Sequence, residues 1–370
     1  MTPAPIPPVD LKFQHNEVAD EVAEGWAAVL AKTAFVGGPQ VTEFEQAYAD
    51  YSGVAHAVGV ANGTDALELA LRAVGVGPGD ECVLPTNSFI ATAEAVARAG
   101  ATPVFVDHDE DSFLIDTKAA LAAFTDRTKA VLPVHLYGQI APVEELLAVA
   151  NEKGIVVVED AAQSQGARRN GGRSGSLGHI AGTSFYPGKN LGAYGDAGAV
   201  TTNDSDLADR VRLLSQHGSS QKYVHSALGF NSRLDTLQAV VLSAKLRRLD
   251  TWNAARVAAA EYYGEMLAGV DGVKAPSVLP GNEHVWHLYV IRVADRDRVV
   301  DHLRGNGVGA AIHYPTPIHL TDPFAAFAGG AGSFPTAERV ATEILSLPIY
   351  PGITRSQQER VVEVLTEALA

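Results

Sequence analysis

Short Val- and Ile-rich runs alternate with helix-like segments along the first half of the chain, and this alternation predicts βα units around a largely parallel sheet. We expect strands at 55–60, 81–85, 102–107, 129–136, 154–160, 183–187 and 198–203. We expect helices between them at 65–74, 89–99 and 142–153. The interval from residue 53 to 200 is about one mononucleotide-binding domain long, so we expect cofactor chemistry there.

The alternation stops after residue 203, and the pattern then predicts a second, smaller domain. Apolar residues over 234–267 have near-helical spacing with a possible break at 250–253, which predicts one long bent helix. Beyond it we expect strands at 284–293 and 309–314 and helices at 296–305, 335–345 and 355–369. We therefore divide the chain into a large α/β domain with its N-terminal segment, 1–250, and a small α+β domain, 251–370.

Composition and charge exclude several classes of function. The 370 residues carry 28 basic and 43 acidic side chains, a net charge of −15, which argues against nucleic acid or an anionic membrane as partner. The start of the chain lacks a signal-peptide pattern, and no window approaches the ~20 apolar residues of a membrane span, so we expect a cytoplasmic protein. The single cysteine, Cys82, excludes intramolecular disulfides and cysteine-rich metal sites, and we expect no metal.

A strand that ends in VVVEDAAQ places Asp160 and Gln163 at the carboxyl edge of the predicted sheet, where open α/β folds bind ligands. On this motif alone, a helix cap formed by Asp160 remains an equal alternative. Lys189 follows in a Gly- and Pro-rich loop, SFYPGKNLGAYGD, between two strands. Desolvation in a confined site lowers the pKa of a lysine amine and makes it a Schiff-base nucleophile, which we favour over a solvated surface charge.

An anion site is predicted where the chain turns into a helix at ANGTDALELAL. Gly63 and Thr64 would direct backbone N–H groups and the positive helix end outward, although a simple cap remains the alternative for this motif alone. Ser184 precedes the lysine loop and offers a hydroxyl to the same anion, and Phe89 offers an aromatic face. Together with Asp160 and Lys189 on the same edge, these are the parts that pyridoxal 5'-phosphate (PLP) requires.

The chain resembles the DegT/DnrJ/EryC1/StrS family of PLP-dependent nucleotide-sugar aminotransferases over nearly its full length. The resemblance rests on blocks that occur in the same order, namely FVGGPQVTEFEQAYADYSG (35–53), NGTDALELAL (62–71), VHLYGQ (134–139), EDAAQSQGA (159–167), SFYPGKNLGAYGD (184–196), GFNSRLDTLQAVVLSAKLRRLDTWNAAR (229–256), HYPTPIH (313–319) and SLPIYP (346–351). It implies the aspartate-aminotransferase fold (PLP fold type I), with a mixed, mostly parallel sheet in a large domain and a smaller C-terminal α+β domain.

Position by position, the resemblance implies that Lys189 forms the Schiff base with the cofactor, Asp160 pairs with its pyridinium nitrogen and Gln163 contacts its ring hydroxyl. The remaining implied cofactor contacts are a phosphate set and a stacking ring, namely Gly63, Thr64, Ser184 and Phe89. Asn231 would reach the phosphate in the neighbouring subunit, which implies a homodimer with shared sites. Gly188 departs from the more frequent threonine, which puts one hydroxyl contact near the phosphate in doubt.

The resemblance also implies the substrates. The motif wording is similar to the branch that aminates 3-keto sugars, with L-glutamate as donor, a dTDP-linked keto-deoxyhexose as acceptor and pyridoxamine phosphate as the alternate cofactor form. The predicted substrate contacts are side chains in or near the blocks quoted above, namely Tyr186, Lys222, Tyr223, Arg233, His313, Tyr314 and His319. A solvated loop charge is the alternative for the basic residues, and core packing or capping is the alternative for the histidines.

Three other functions are alternatives to this one. A 4-keto sugar acceptor remains open, although that branch more often has SFH before its lysine loop. A PLP-dependent lyase or desulfurase is an alternative on the same fold. A desulfurase needs a mobile cysteine, whereas Cys82 lies in a predicted buried strand. A non-catalytic, PLP-binding regulator of the same fold is disfavoured by the intact set of Asp160, Gln163 and Lys189.

Overall fold

The computed structural model describes residues 4–370, so the first three residues of the predicted large domain lie outside the described residues. Its helices, in chain order, are α1 (Leu11–Lys32), α2 (Pro39–Ser52), α3 (Gly63–Ala73), α4 (Ala91–Ala99), α5 (Thr117–Ala122), α6 (Val143–Lys153), α7 (Ser205–Ser215), α8 (Thr236–Leu246), α9 (Leu249–Leu267), α10 (Arg296–Gly305), α11 (Pro335–Ala341) and α12 (Arg355–Leu369). None of these helices is long and apolar enough to cross a bilayer.

The strands, in chain order, are β1 (His56–Val60), β2 (Glu81–Pro85), β3 (Thr102–Val106), β4 (Thr128–Val131), β5 (Val156–Asp160), β6 (Arg168–Arg169), β7 (Gly172–Arg173), β8 (Ile180–Ser184), β9 (Gly198–Thr202), β10 (Ser219–Gln221), β11 (Val224–His225), β12 (Val273–Lys274), β13 (Asn282–Glu283), β14 (Tyr289–Val293) and β15 (Ile344–Leu347). Seven of them form the central sheet in the order β1-β9-β8-β5-β4-β2-β3.

The central sheet is mixed and mostly parallel. Only β9 runs antiparallel, to β1 on one side and β8 on the other. Successive residues of one strand pack into different cores, as Val157 and Val158 do, because side chains alternate across a sheet and helices cover both faces. The predicted fold class is confirmed.

A smaller three-stranded antiparallel sheet, β12-β14-β15, organises the C-terminal part. Its core also contains α9, α10 and α12, and a residue from the other end of the chain, Ile6. Ile6 pairs in parallel with Val308, and Gly309 donates its N–H to the Ile6 carbonyl at 2.8 Å. The N-terminal segment therefore packs on the small C-terminal sheet, and the division at residue 250 stays a prediction.

The single bent helix predicted over 234–267 is wrong. The segment forms two helices, because α8 ends at Leu246 and α9 begins at Leu249, and between them Arg248 has φ −109° and ψ −7°, outside the helical range. The break therefore lies at 247–248, not at 250–253. It separates α8, which packs on the large domain, from α9, which packs on the small sheet.

Several strands and helices also begin or end at residues other than those predicted. The strand expected to reach residue 136 stops at Val131, two residues before Pro133, which has no N–H for the ladder. The strand expected at 309–314 is a single bridge between Ala311 and Ser346. The helix expected over 335–345 ends at Ala341, because the next residues pair with β14 as β15. The strands expected at 183–187 and 284–293 are Ile180–Ser184 and Tyr289–Val293.

Candidate active site

Asp160 is the last residue of β5, and its side chain is buried at 5% exposure. Thr92 of α4 donates its hydroxyl to one carboxylate oxygen at 2.6 Å, and the N–H of Ala162 donates to the other at 3.2 Å. Burial raises the pKa of Asp160, and these hydrogen bonds and the charge of Lys189 oppose the rise. A turn and not a helix follows Asp160, so the side chain does not cap a helix, but it does accept one backbone N–H of that turn, as the capping alternative expected.

Lys189 lies in a closed loop that follows β8 and that we call the lysine loop, residues 185–193. Ala193 donates its N–H to the carbonyl of Phe185 at 2.8 Å, and Lys189 donates its own N–H to the carbonyl of Tyr186 at 2.8 Å. Burial lowers the pKa of the Lys189 amine to about 8, and the negative charge of Asp160 opposes this change. The amine is therefore far easier to deprotonate than an ordinary lysine, as a nucleophile or a base requires.

Gln163 is buried and fixed by two partners. Its carbonyl oxygen accepts the N–H of Tyr137 at 2.8 Å, and its amide donates to the hydroxyl of Tyr314 at 3.0 Å. The ring of Tyr314 lies 5.5 Å from that of Phe89, centre to centre, and Phe89 is 50% exposed. The structure thus gathers the predicted ring-contact residues Gln163 and Phe89 around Tyr314, which had been predicted to touch the sugar.

The predicted anion site is formed where α3 begins beside the end of β8. Asn62 caps α3 by accepting the N–H of Asp65 at 2.8 Å, so the first helical residues, Gly63 and Thr64, keep N–H groups that the helix itself does not use. A Cβ on Gly63 would lie 2.5 Å from the Cβ of Ser184. Only glycine lets the helix end approach Ser184 this closely. The approach brings the backbone N–H donors of the helix end and the hydroxyl donor of Ser184 to one place.

His313 is a further predicted substrate contact that lies beside these residues. It is partly buried, its Nδ1 is paired with the hydroxyl of Ser346 at 2.8 Å, and its carbonyl accepts the hydroxyl of Tyr137. Burial, and then the charge of Lys189, lower the pKa of His313 to about 4, so the ring is neutral near pH 7. A neutral imidazole near the amine is suited to accept or donate a hydrogen bond to a sugar hydroxyl.

The prediction that His319 touches the sugar is wrong. The side chain is fully buried, with Nδ1 paired to the hydroxyl of Thr86 at 2.7 Å and Nε2 paired to the carboxylate of Glu338 at 3.1 Å. Its ring also packs against Phe334. Both ring nitrogens are occupied within the core, so the packing alternative holds for this histidine.

Four predicted residues lie away from this group within one chain. Lys222 and Tyr223 lie at the tip of the β10–β11 hairpin, where Tyr223 is 83% exposed. Asn231 and Arg233 are also exposed, and the guanidinium of Arg233 donates to the amide oxygen of Asn231 at 2.8 Å. Among residues 4–370, no hydrogen bond joins these four to the carboxylate, the lysine or the buried glutamine described above. Tyr186, in contrast, lies in the lysine loop itself and is 58% exposed.

Sequence reasoning missed two supporting contacts. Thr92, which orients Asp160, carries no motif beyond a hydroxyl in the first turn of a helix near the sheet edge. Asn190 follows the lysine directly, and its oxygen pairs with Nδ1 of His287 at 3.1 Å while its amide donates to Asn253 at 2.8 Å. The partners of Asn190 are distant in sequence, so only the folded chain identifies them.

A model of the DegT/DnrJ/EryC1/StrS aminotransferase family matches residues 16–366. The chain belongs to this family. It is 46% identical to the erythromycin biosynthesis sensory transduction protein EryC1 of Saccharopolyspora erythraea, over 97% of this chain and 98% of that protein. It is 45% identical to the dTDP-3-amino-3,4,6-trideoxy-alpha-D-glucose transaminase of Streptomyces venezuelae, over 98% of this chain and 96% of that protein.

Solved structures agree with this assignment. S. venezuelae DesV, crystallised in complex with a ketimine intermediate, superposes with a TM-score of 0.97 at 45% identity and covers 99% of this chain and 98% of its own. NtdA of Bacillus subtilis, with bound cofactor PMP, gives a TM-score of 0.91 at 30% identity and covers 100% of this chain and 86% of its own. The predicted family, fold and cofactor are confirmed: the chain is a PLP-dependent aminotransferase whose cofactor cycles through the pyridoxamine form.

The residues present fit this cofactor on structural grounds. Asp160 is a buried carboxylate at a sheet edge, as a pyridinium partner needs, and Lys189 is an amine whose pKa is lowered. The close approach at Gly63 places helix N–H groups next to Ser184, as a phosphate needs. Each chemical part of PLP therefore has a matching group in this site.

Proposed function

We propose that the protein transfers the amino group of L-glutamate to C-3 of a dTDP-linked keto-deoxyhexose and so makes an amino sugar for a glycosylated natural product. The observation that carries this proposal is the Asp160–Lys189 site in a chain that is 45% identical, over 98% of its length, to a transaminase named for a dTDP-3-amino sugar. The name of the Saccharopolyspora relative supports the natural-product setting. We place the reaction in the cytoplasm, which the single cysteine favours.

We assign Asp160 and Lys189 the two proton-handling roles. When bound, PLP supplies an electron-withdrawing pyridinium ring that weakens the bond to the donor's α-hydrogen. The Asp160 carboxylate, held by Thr92, keeps a proton on the ring nitrogen through charge pairing. The Lys189 amine would hold the cofactor covalently until the amine of the donor displaces it. The freed amine would then accept the α-proton of glutamate and later deliver a proton to the sugar carbon that is aminated.

The other gathered residues bind and orient the cofactor in this proposal. Gly63, Thr64 and Ser184 hold the phosphate through N–H and hydroxyl donors. Gln163 donates to the ring hydroxyl, and Phe89 stacks on the ring face. Tyr314 fixes the amide of Gln163 at 3.0 Å and so keeps the glutamine pointed correctly.

We also propose that two copies of the chain complete each other's sites. Asn231, which within residues 4–370 makes no hydrogen bond to Asp160, Gln163 or Lys189 of its own chain, then reaches the phosphate bound by the neighbouring subunit. Lys222 and Arg233, which are exposed, supply the positive charge that a sugar diphosphate needs in a protein of net charge −15, and the exposed Tyr223 supplies a hydroxyl group. Tyr186 and His313 lie beside Lys189 and contact the sugar.

Absorption spectroscopy of the purified holoenzyme tests the two half-reactions in turn. L-Glutamate should convert the absorption band of the lysine-linked cofactor into the pyridoxamine band, and a dTDP-3-keto-6-deoxyhexose should restore the first band. If only a 4-keto sugar restores it, the acceptor is the 4-keto class. If PLP forms the band but neither L-glutamate nor a keto sugar changes it, a non-catalytic, PLP-binding regulator replaces the enzyme, in keeping with the name of the Saccharopolyspora relative, a sensory transduction protein.

Chemical trapping locates the nucleophile. Borohydride reduction of the holoenzyme followed by peptide mapping should label Lys189. Lys189→Ala should keep the fold, seen by circular dichroism, and lose turnover by several orders of magnitude. A label on another lysine, or substantial turnover by the variant, would remove Lys189 from its assigned role.

A further inference from the structure

Lys245 of α8 is a buried cation to which the proposed reaction gives no role. It is 2% exposed, and its ammonium makes one hydrogen bond within residues 4–370, to the carbonyl oxygen of Gly192 at 2.6 Å. Burial is the one cause that lowers its pKa, to about 8, and no carboxylate opposes the change. Burying an ammonium without a carboxylate partner costs free energy that burying a hydrophobic residue of similar size does not. Packing alone therefore does not explain a lysine at this position.

The partner of Lys245 belongs to the lysine loop. A Cβ on Gly192 would lie 2.3 Å from the carbonyl oxygen of Pro187, so the two arms of the loop are in close contact on either side of Lys189. The hydrogen bond from Ala193 to Phe185 closes the same loop. Fixing the Gly192 carbonyl therefore fixes one arm of a short ring of residues that carries the reactive amine.

A second contact from α8 holds the segment that follows the loop. Gln238 accepts the N–H of Tyr194 at 2.8 Å, and it lies two helical turns before Lys245 on the same face of α8. The ammonium also lies 4.8 Å from the centre of the Tyr194 ring. The ring is held from its other side by Trp26 and by His15, whose Nδ1 pairs with the hydroxyl at 2.6 Å.

We propose that Lys245 is a positioning residue that fixes the lysine loop through the Gly192 carbonyl, with Gln238 as the second anchor. A hydrogen bond from a charged donor is among the stronger ones in proteins, and a short loop rich in glycine has few internal bonds to hold it. Lys245 does not touch the reacting atoms in this role. It limits the positions that the Lys189 amine can adopt before the cofactor binds.

Lys245 also lines a surface cavity of about 540 Å³ between α1 and the loop, together with Lys12. Lys12 is exposed, and its side chain has no hydrogen bond within residues 4–370. Lys12→Met is therefore a matched control, because it removes one lysine charge from the same cavity without changing the loop.

Hydrogen exchange on the full-length protein, with and without PLP, tests the positioning role directly. In Lys245→Met the amides of Lys189, Ala193 and Tyr194 should exchange about tenfold faster, while exchange elsewhere stays as in the original chain and the melting temperature does not fall. Lys245→Arg, which keeps a charged donor, should restore slow exchange. A uniform increase in exchange with a lower melting temperature would instead show a packing role and overturn the proposal, as would unchanged loop exchange.

A second measurement relates the loop to cofactor capture and rests on the proposed role of Lys189. The cofactor-free protein is mixed with PLP, and the growth of the absorption band is timed. Lys245→Met should form the band about tenfold more slowly, with Lys245→Arg and Lys12→Met close to the original rate. If Lys189→Ala forms the same band, the proposed function fails, whereas the exchange experiment still decides the role of Lys245. If Lys245→Met forms the band at the original rate, the positioning proposal fails alone.

Discussion

At the scale of single residues, burial raises the pKa of Asp160, and the hydroxyl of Thr92 is the first of several groups that oppose the rise. Thr92 donates to its carboxylate at 2.6 Å, a bond that favours the charged form. Thr92→Val keeps the side-chain shape but loses the donor, so the pKa of Asp160 should rise and the acidic limb of kcat/KM against pH should move to higher pH. We expect a loss of about tenfold near neutral pH.

Ser88→Ala is the control for this variant, because Ser88 bonds to the hydroxyl of Thr92 at 2.7 Å and does not reach the carboxylate. Its profile should stay close to the original. An unshifted acidic limb in Thr92→Val would show that Asp160 does not depend on this bond.

The pKa of Lys189 gives a second prediction at the same scale. In the cofactor-free protein the amine should titrate near pH 8, since burial disfavours its charged form. Asp160→Asn removes the one charge that opposes this effect, so the pKa of Lys189 should fall further. Carbon-13 NMR of reductively methylated protein, with the signal assigned through Lys189→Ala, measures both values. A pKa that rises or stays constant in Asp160→Asn would show that the two side chains do not interact.

At the scale of elements, the cofactor phosphate is expected to depend on how closely α3 approaches β8. Gly63→Ala adds a Cβ that would lie 2.5 Å from the Cβ of Ser184, so the helix end must move. We expect the affinity for PLP to fall by about tenfold or more, measured by titrating the cofactor-free protein and following fluorescence. Gly77→Ala is the control, because no atom lies within 4 Å of its added Cβ. Equal affinities in the two variants would contradict the phosphate assignment.

The sequence patterns predicted elements well where local signals and tertiary pairing agree. Five of the seven strands predicted between residues 55 and 203 lie within two residues of the observed ends, because Val- and Ile-rich runs bounded by turns favour strands. The strands predicted at 129–136 and 183–187 differ by more. The end of the helix at Ala341 could not be predicted, because pairing of Ile344–Leu347 with β14 overrides a helical pattern. The contact from Thr92 to Asp160 was missed for a related reason: it joins two elements 68 residues apart.

The residues of the candidate site also fall into two groups, those that local motifs predict and those that only the folded chain identifies. Asp160 and Lys189 follow from their motifs, because a strand end and a glycine-rich loop define where such side chains lie. The environment of His319 did not follow from its motif, because the motif gives the residue type but not the buried partners that occupy both ring nitrogens. Lys245 had no local signal at all, since a lysine in a helix is usually exposed.

At the scale of the whole molecule, the exposed apolar side chains near Asn231 favour a second copy of the chain as the partner. Leu228, three residues before Asn231, is 93% exposed, and Val36, which pairs with Asp235, is 55% exposed. Covering both side chains with a second copy would remove their apolar surface from water. Leu228→Asp should weaken self-association, measured by analytical ultracentrifugation. Surface Val278→Asp, at 42% exposure, is the matched control and should leave the mass unchanged. Identical masses for both variants would exclude this surface as the interface.

The proposed sharing of sites between two copies of the chain gives a further prediction about mixed subunits. Lys189→Ala and Asn231→Ala should each be impaired alone, but mixing them after partial unfolding should form hybrids in which one site has both intact residues. Random pairing makes about half of the dimers hybrid, so activity should recover to about one quarter of the original. No recovery would show that Asn231 acts within its own chain.

The pairing of Ile6 with Val308 also sets an order of events during synthesis. Val308 is synthesised about 300 residues after Ile6, roughly 15–60 s later at ordinary rates of translation. The large sheet can assemble in that interval, but its N-terminal segment stays without its native partner. Nascent chains stalled before residue 308 should therefore show a protease-sensitive N-terminus in front of a resistant sheet, and full-length chains should not.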